Sequence, residues 1–185
     1  MPDSVPGPAE AGGSATPAIV LIGPMGAGKS HIGRRLARRL AVPFTDTDAA
    51  IVERHGPISG VFAERGEPGF REIEREIVAE AIDAGGVVSL GGGAPLHPLT
   101  RRRLHGARVV LLTVDERTVQ PRLRGGTRPL LEEGGMAAWR RILAERLPAY
   151  RELATIEVDT SGRTPGRIVE EIAGRLGLEG MEQDA

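Results

Sequence analysis

One octet restricts this chain more than any other stretch: Gly23-Pro24-Met25-Gly26-Ala27-Gly28-Lys29-Ser30. It satisfies G-x-x-x-x-G-K-[ST] at every position. A continuous apolar run, Ala18 to Ile22, leads into it and reads as a strand buried on both faces. Beyond it Ile32, Leu36 and Leu40 recur every fourth residue among arginines, which predicts a helix. Strand, glycine turn and helix N-terminus together make a cradle of backbone N–H groups for anionic oxygens. Lys29 is also the one lysine of the chain, beside 23 arginines. An arginine bias explains the arginines, but not why a lysine stands where a compact, flexible ammonium is needed. The octet therefore predicts a phosphate site made of Gly26, Ala27, Gly28, Lys29 and Ser30, with His31 beside it. Lys29 would reach the β- and γ-phosphates. Ser30 would ligate a Mg²⁺ ion held mostly by phosphates and water.

The rest of the chain alternates. Short apolar runs at 42–45, 87–90, 108–114 and 155–158 read as strands. Helical patterns separate them, at about 49–64, 68–84, 96–104, 136–153 and 165–176. In the 68–84 segment Phe70, Ile73, Ile77 and Ala81 fall on one inward face. Asp115 with Thr118 three residues on starts a further helix that Pro121 shortens or kinks, and 122–135 reads as a loop. Such alternation predicts an α/β fold: three layers, α/β/α, around a five-stranded parallel sheet. Ligands then sit outside the carboxyl ends of the strands.

With 185 residues, 40% of them hydrophobic, one domain with a real core is expected. It is read as 18–177, between a disordered leader, 1–17, and a disordered tail, 178–185. The formal net charge of −1 argues against a general nucleic-acid or membrane binder. Absence of cysteine excludes disulfides and thiolate metal sites. No apolar run reaches the ~18 residues of a spanning helix, and residues 1–17 lack the basic start and apolar stretch of a signal peptide. A cytoplasmic monomer is expected.

Four further motifs bear on chemistry. Asp46-Thr47-Asp48 follows the second strand. In extended backbone its two carboxylates face one side; one could hold metal-bound water and the other could accept or orient a hydroxyl proton. Alternatively, Asp48 merely caps the next helix. Phe70-Arg71-x-x-Glu74 places Arg71 and Glu74 on one helical face, although the whole 67–80 stretch is charged and nothing local singles the pair out. Gly91-Gly92-Gly93 closes a strand, either as a turn or as main chain on which a small ligand packs. The segment 122–135 contains Arg122, Arg124 and Arg128 and suits a mobile lid over nucleotide phosphates. Arg146 stands near the far end of the next helix, in Glu145-Arg146-Leu147-Pro148-Ala149-Tyr150.

In this order and at about these distances, G-x-x-G-x-G-K-S, D-T-D, F-R-x-x-E, G-G-G, R-P-L-L and E-R-x-P-x-Y resemble the shikimate kinase family, over residues 18–176. The resemblance implies a P-loop kinase fold similar to the nucleoside-monophosphate kinases, with a lid. It implies transfer of the γ-phosphoryl of ATP to the 3-hydroxyl of shikimate, with Mg²⁺. It puts Asp48, Arg71, Gly93 and Arg146 at the acceptor, with Glu74, Gly91 and Gly92 around them. Asp48 would contact the reacting hydroxyl, and Arg71 and Arg146 would hold the carboxylate. Arg128 would reach the transferring phosphate. Arg163 and either Arg122 or Arg124, preferably Arg122, would lie on the adenine side. Ser30, with Asp46 through water, would form the Mg²⁺ environment. The chain departs from the family pattern in having His31 in place of threonine, and in being about one residue short between His55 and Val61 and again in the lid. Two other readings remain: a gluconate-kinase-like enzyme, or a nucleotide-binding module without phosphoryl transfer.

Overall fold

The computed structural model of the chain describes residues 17–123 and 134–178. The expected leader, tail and most of the lid, including Arg124 and Arg128, lie outside the described residues. Five strands form one sheet: β1 (Ile19–Ile22), β2 (Phe44–Asp46), β3 (Val87–Ser89), β4 (Arg108–Thr113) and β5 (Ile156–Asp159). Their order is β2-β3-β1-β4-β5, and every pairing is parallel. The helices are α1 (Lys29–Arg39), α2 (Thr47–His55), α3 (Ile58–Ala84), α4 (Pro98–Leu104), α5 (Glu116–Leu123), α6 (Gly135–Leu153) and α7 (Pro165–Arg175).

Alternate residues of the central strands divide the core in two, as the period of two along a strand requires. Ile19 and Leu21 of β1, with Val110 and Leu112 of β4, pack against Ile32 and Leu36 of α1 and Ile168 and Ile172 of α7. Val20, Ile22, Val109 and Leu111 pack on the other face, against Val78 and Ala81 of α3, Leu104 and Tyr150. Both faces are covered, which is why β1 and β4 read as unbroken apolar runs. A separate small core joins Ile51 of α2 to Val61, Phe70, Ile73 and Ile77 of α3.

Helix α3 is two helical segments meeting at Gly66, whose φ of 66° only glycine adopts at low cost. Pro68 follows it in the first turn of the second segment. The break matches the two helices expected from the sequence. Three expectations are corrected. The second strand is shifted to Phe44–Asp46. Asp48 is not on extended backbone but in the first turn of α2. Arg122 is on the last turn of α5 rather than in a loop.

Candidate active site

Because the sheet is parallel, the turns after β1, β2 and β3 open at the same edge and share one cleft of about 1250 Å³. The loop after β1 forms one wall. Gly28 caps α1 with φ 90° and ψ 18°, a left-handed conformation that aims the helix N-terminus back into the loop. Lys29 Nζ donates to the carbonyls of Gly23 at 2.8 Å and Pro24 at 3.1 Å, so the ammonium bridges the loop's mouth. Three consecutive carbonyls are held by side chains of other elements. Trp139 Nε1 donates to Met25 O at 3.0 Å, Arg122 to Gly26 O at 3.0 Å and Thr160 Oγ1 to Ala27 O at 3.1 Å. In a planar trans peptide the next N–H points the opposite way. Fastening the Met25 and Ala27 carbonyls therefore directs the N–H groups of Gly26 and Gly28 away from those anchors, and both glycines line the cleft.

The facing wall is assembled from α2, α3, the turn after β3 and α6. Asp46 Oδ1 accepts from Ala49 N at 3.2 Å, so Asp46, not Asp48, is the N-cap of α2. Asp46 and Asp48 nonetheless both line the cleft, as expected, but by way of a cap followed by a helical turn. Thr47 between them is buried. Its hydroxyl donates to Ser89 O and accepts from Gly91 N, each at 3.2 Å, and so fastens the D-T-D turn to the glycine turn.

Each of the three glycines leaves room for a polar side chain. A Cβ on Gly91 would come within 2.5 Å of Asp48 Oδ1, one on Gly93 within 2.5 Å of Arg71 Nη1, and one on Gly92 within 3.3 Å of Arg146 Nη1. Of the two readings of this turn, the structure favours close approach. Arg71 is held by Glu74 at 2.6 Å and by Glu67 at 3.3 Å, with its guanidinium 5.3 Å from the Phe70 ring centroid. Glu74 is only 3% exposed, so burial singles this pair out from the charged stretch around it. Tyr150 donates to Gly92 O at 2.6 Å.

Ser30, His31, Arg122, Gly91, Gly92 and Gly93 also line the cleft. Arg163 does not: it donates to Asp159 O at 2.9 Å and pairs with Glu171 at 2.6 Å, in the turn before α7. Trp139, Tyr150, Thr47 and Thr160 were missed as site residues in the sequence. A lone Trp and a Tyr four residues past Arg146 were the available signals. Among the described residues no group of three His, Cys, Asp or Glu could hold a metal ion. The donors present are hard oxygens, the Ser30 hydroxyl and the Asp46 carboxylate. These fit Mg²⁺, which takes few protein ligands and keeps its waters.

A family model described as "Shikimate kinase" matches residues 25–176. The chain belongs to the shikimate kinase family. A shikimate kinase of Mycobacterium avium (strain 104) is 51% identical over 164 residues, 86% of this chain and 93% of that protein. One of Thermobifida fusca is 48% identical over 170 residues, 90% and 99%. Among solved structures, the shikimate kinase from Acinetobacter baumannii in complex with shikimate superposes with a TM-score of 0.83 at 33% identity, covering 90% of this chain and 96% of that one. The chain is thus an ATP-dependent kinase with a P-loop fold, which sets aside both the gluconate-kinase-like reading and the non-catalytic one.

The wall facing the glycine loop concentrates the kinase's unusual electrostatics. Desolvation raises the Asp48 pKa, and Asp46 raises it further, against the pull of Lys29 and Arg71. Asp48 has much protein around it, yet its carboxylate is open to cleft water. Burial likewise raises Glu74, opposed chiefly by Arg71. The Tyr150 phenol is raised by burial against the lowering influence of Arg146.

Proposed function

We propose that this chain transfers the γ-phosphoryl group of ATP to the 3-hydroxyl of shikimate, forming shikimate 3-phosphate for aromatic amino-acid biosynthesis. One observation carries the acceptor half of this reading: the Arg146 and Arg71 guanidinium groups lie against consecutive glycines, Gly92 and Gly93, and the Asp48 carboxylate lies against the glycine before them, Gly91. Two guanidinium forks on bare main chain suit a small carboxylate held bidentately. A carboxylate near them, with a raised pKa, suits an alcohol.

Phosphoryl transfer asks the protein mainly to place reactants and to balance charge. Gly26 to Ser30 grip the triphosphate through backbone N–H groups, with His31 adjoining. Lys29 leaves the carbonyls of Gly23 and Pro24 for the β- and γ-oxygens. Mg²⁺, held by Ser30 and through water by Asp46, neutralises phosphate charge when bound. Asp48 accepts or orients the proton of the attacking hydroxyl. Glu74 holds Arg71 in place, and the Gly91–Gly93 turn receives the acid. Arg128, outside the described residues, is assigned to the transferring phosphate. Arg122 is preferred over Arg124 for the nucleotide side because its guanidinium already bonds the Gly26 carbonyl. Arg163 is assigned near the adenine, by position after β5. The same reading makes the enzyme a cytoplasmic monomer that engages neither nucleic acid nor membrane. Its net charge of −1 supports the former absence.

An assay of ADP release, with shikimate and a panel of sugar acids including gluconate, tests the proposal. Turnover with shikimate alone is expected. Preference for gluconate would overturn it.

A further inference from the structure

Helix α6 fastens both walls of the cleft at once. Near its start Trp139 Nε1 bonds the Met25 carbonyl at 3.0 Å, and near its end Tyr150 Oη bonds the Gly92 carbonyl at 2.6 Å. Trp139, Arg146 and Tyr150 are spaced by seven and then four residues, so they share one helical face. All three line the cleft. Both pinning side chains are buried, at 3% and 1% exposure. Arg146 stands between them. Its Nη1 and the Tyr150 hydroxyl lie 3.3 Å and 3.6 Å from one point, the place a Cβ on Gly92 would take.

The Gly92 carbonyl and the Gly93 N–H belong to one planar peptide and point in opposite directions. Whatever fastens the first therefore aims the second. Neither the Gly92 nor the Gly93 N–H donates a hydrogen bond among the described residues, whereas Ala94 N bonds Gly91 O and Leu96 N bonds Gly93 O. The phenol thus sets the plane of the peptide that joins the glycine beside Arg146 to the glycine beside Arg71.

We propose that Tyr150 is a positioning residue for acceptor binding: its hydroxyl locks the Gly92–Gly93 peptide so that the Gly93 N–H and the Arg146 guanidinium face the acid together. Trp139 is its counterpart on the nucleotide wall, locking the Met25–Gly26 peptide. Burial keeps the phenol protonated, and so a donor, well into the alkaline range. The proposal rests on the acid-binding reading above and assigns the residue that gives that site its shape.

Steady-state kinetics in both substrates, with thermal melting, on wild type, Tyr150→Phe and Trp139→Phe provide the test. Tyr150→Phe removes the hydroxyl and keeps the ring; Trp139→Phe removes the indole N–H and leaves a smaller phenyl in a buried position, which the melting curve reports. Tyr150→Phe loses the bond to Gly92 O and the one shared with Arg146, which predicts a rise of at least roughly fivefold in shikimate KM, with ATP KM held within about twofold. Trp139→Phe should show the reverse pattern. A Tyr150→Phe enzyme that melts lower but keeps its shikimate KM, or that shifts both KM values alike, would overturn the proposal while leaving the acid site standing. A wild-type enzyme that turns over no shikimate would overturn both.

Discussion

On the proposed reading, the nucleotide wall is made of eight consecutive residues and binds through its backbone. Its own charged side chain is one lysine, and Trp139, Arg122 and Thr160 hold three of its carbonyls. The acceptor wall is made of side chains from α2, α3 and α6 gathered around a glycine turn, and it gathers charge at a cost. Glu74 is buried, Asp48 is crowded, and both carboxylates have raised pKa values. A backbone cradle is generic for anions, whereas a ring of placed charges recognises one shape. On the proposed reading, one wall supplies the grip on phosphate and the other the choice of acceptor.

The largest effect expected from breaking that division is at Lys29. Lys29→Met should lower turnover by about 10²–10³-fold, because it removes the charge that faces the developing phosphate charge. Near-normal kcat would mean the octet is a turn and not a phosphate grip. Asp48→Asn should reduce kcat by about 10²–10⁴-fold while ATP binding stays close to wild type. If ATP affinity collapsed instead, the two walls would not be separable. The pH dependence has a definite sign. Asp48 must be ionised to accept a proton, so kcat/KM should fall as pH drops through a value above the ordinary 3.8 of an aspartate. Its stability contribution runs the other way: with a raised folded pKa, it is present below the unfolded value and lost as pH rises through the folded one. At neutral pH the ionised Asp48 is a small cost, so the Asn variant should melt no lower than wild type.

Arg71→Ala should raise shikimate KM by roughly 10- to 100-fold, the value of hydrogen bonds to a charged group, with ATP KM unchanged. It should also lower the melting temperature, since Glu74 is left buried without its partner. A normal shikimate KM would detach Arg71 from the acid. Gly93→Ala should act in the same direction but less, by roughly fivefold in shikimate KM, because the new methyl displaces the flexible end of Arg71 rather than deleting it. An equal loss of ATP affinity would show that the methyl disturbs the whole cleft and that the walls are coupled through the turn.

Much of this was legible beforehand. The octet, the apolar runs of β1 and β4 and the four-residue spacing of α1 each express a local rule, so the five-stranded order of elements and the glycine loop between β1 and α1 could be read directly. Asp46 and Asp48 were placed at the cleft for a reason that did not hold. A cap and a helical turn bring them there, not strand alternation, because Thr47 turns inward to bond Ser89 and Gly91. Arg71 and Glu74 looked like any surface pair, because nothing local marks which charged residue of a helix will be buried. Trp139 and Tyr150 carry no motif chemistry of their own. Their importance lies in which carbonyls they meet.

By itself the sequence determined the alternating α/β framework, the backbone cradle and the family's set of charged residues, because periodicity and contiguous motifs are short-range properties of the chain. Tertiary structure alone decided which charges are buried, which glycines touch which side chains and how α6 spans the two loops. Those contacts join residues as far apart as Met25 and Trp139, or Gly92 and Tyr150. Burial and hydrogen-bond pairing arise only once the sheet has set its strand ends side by side.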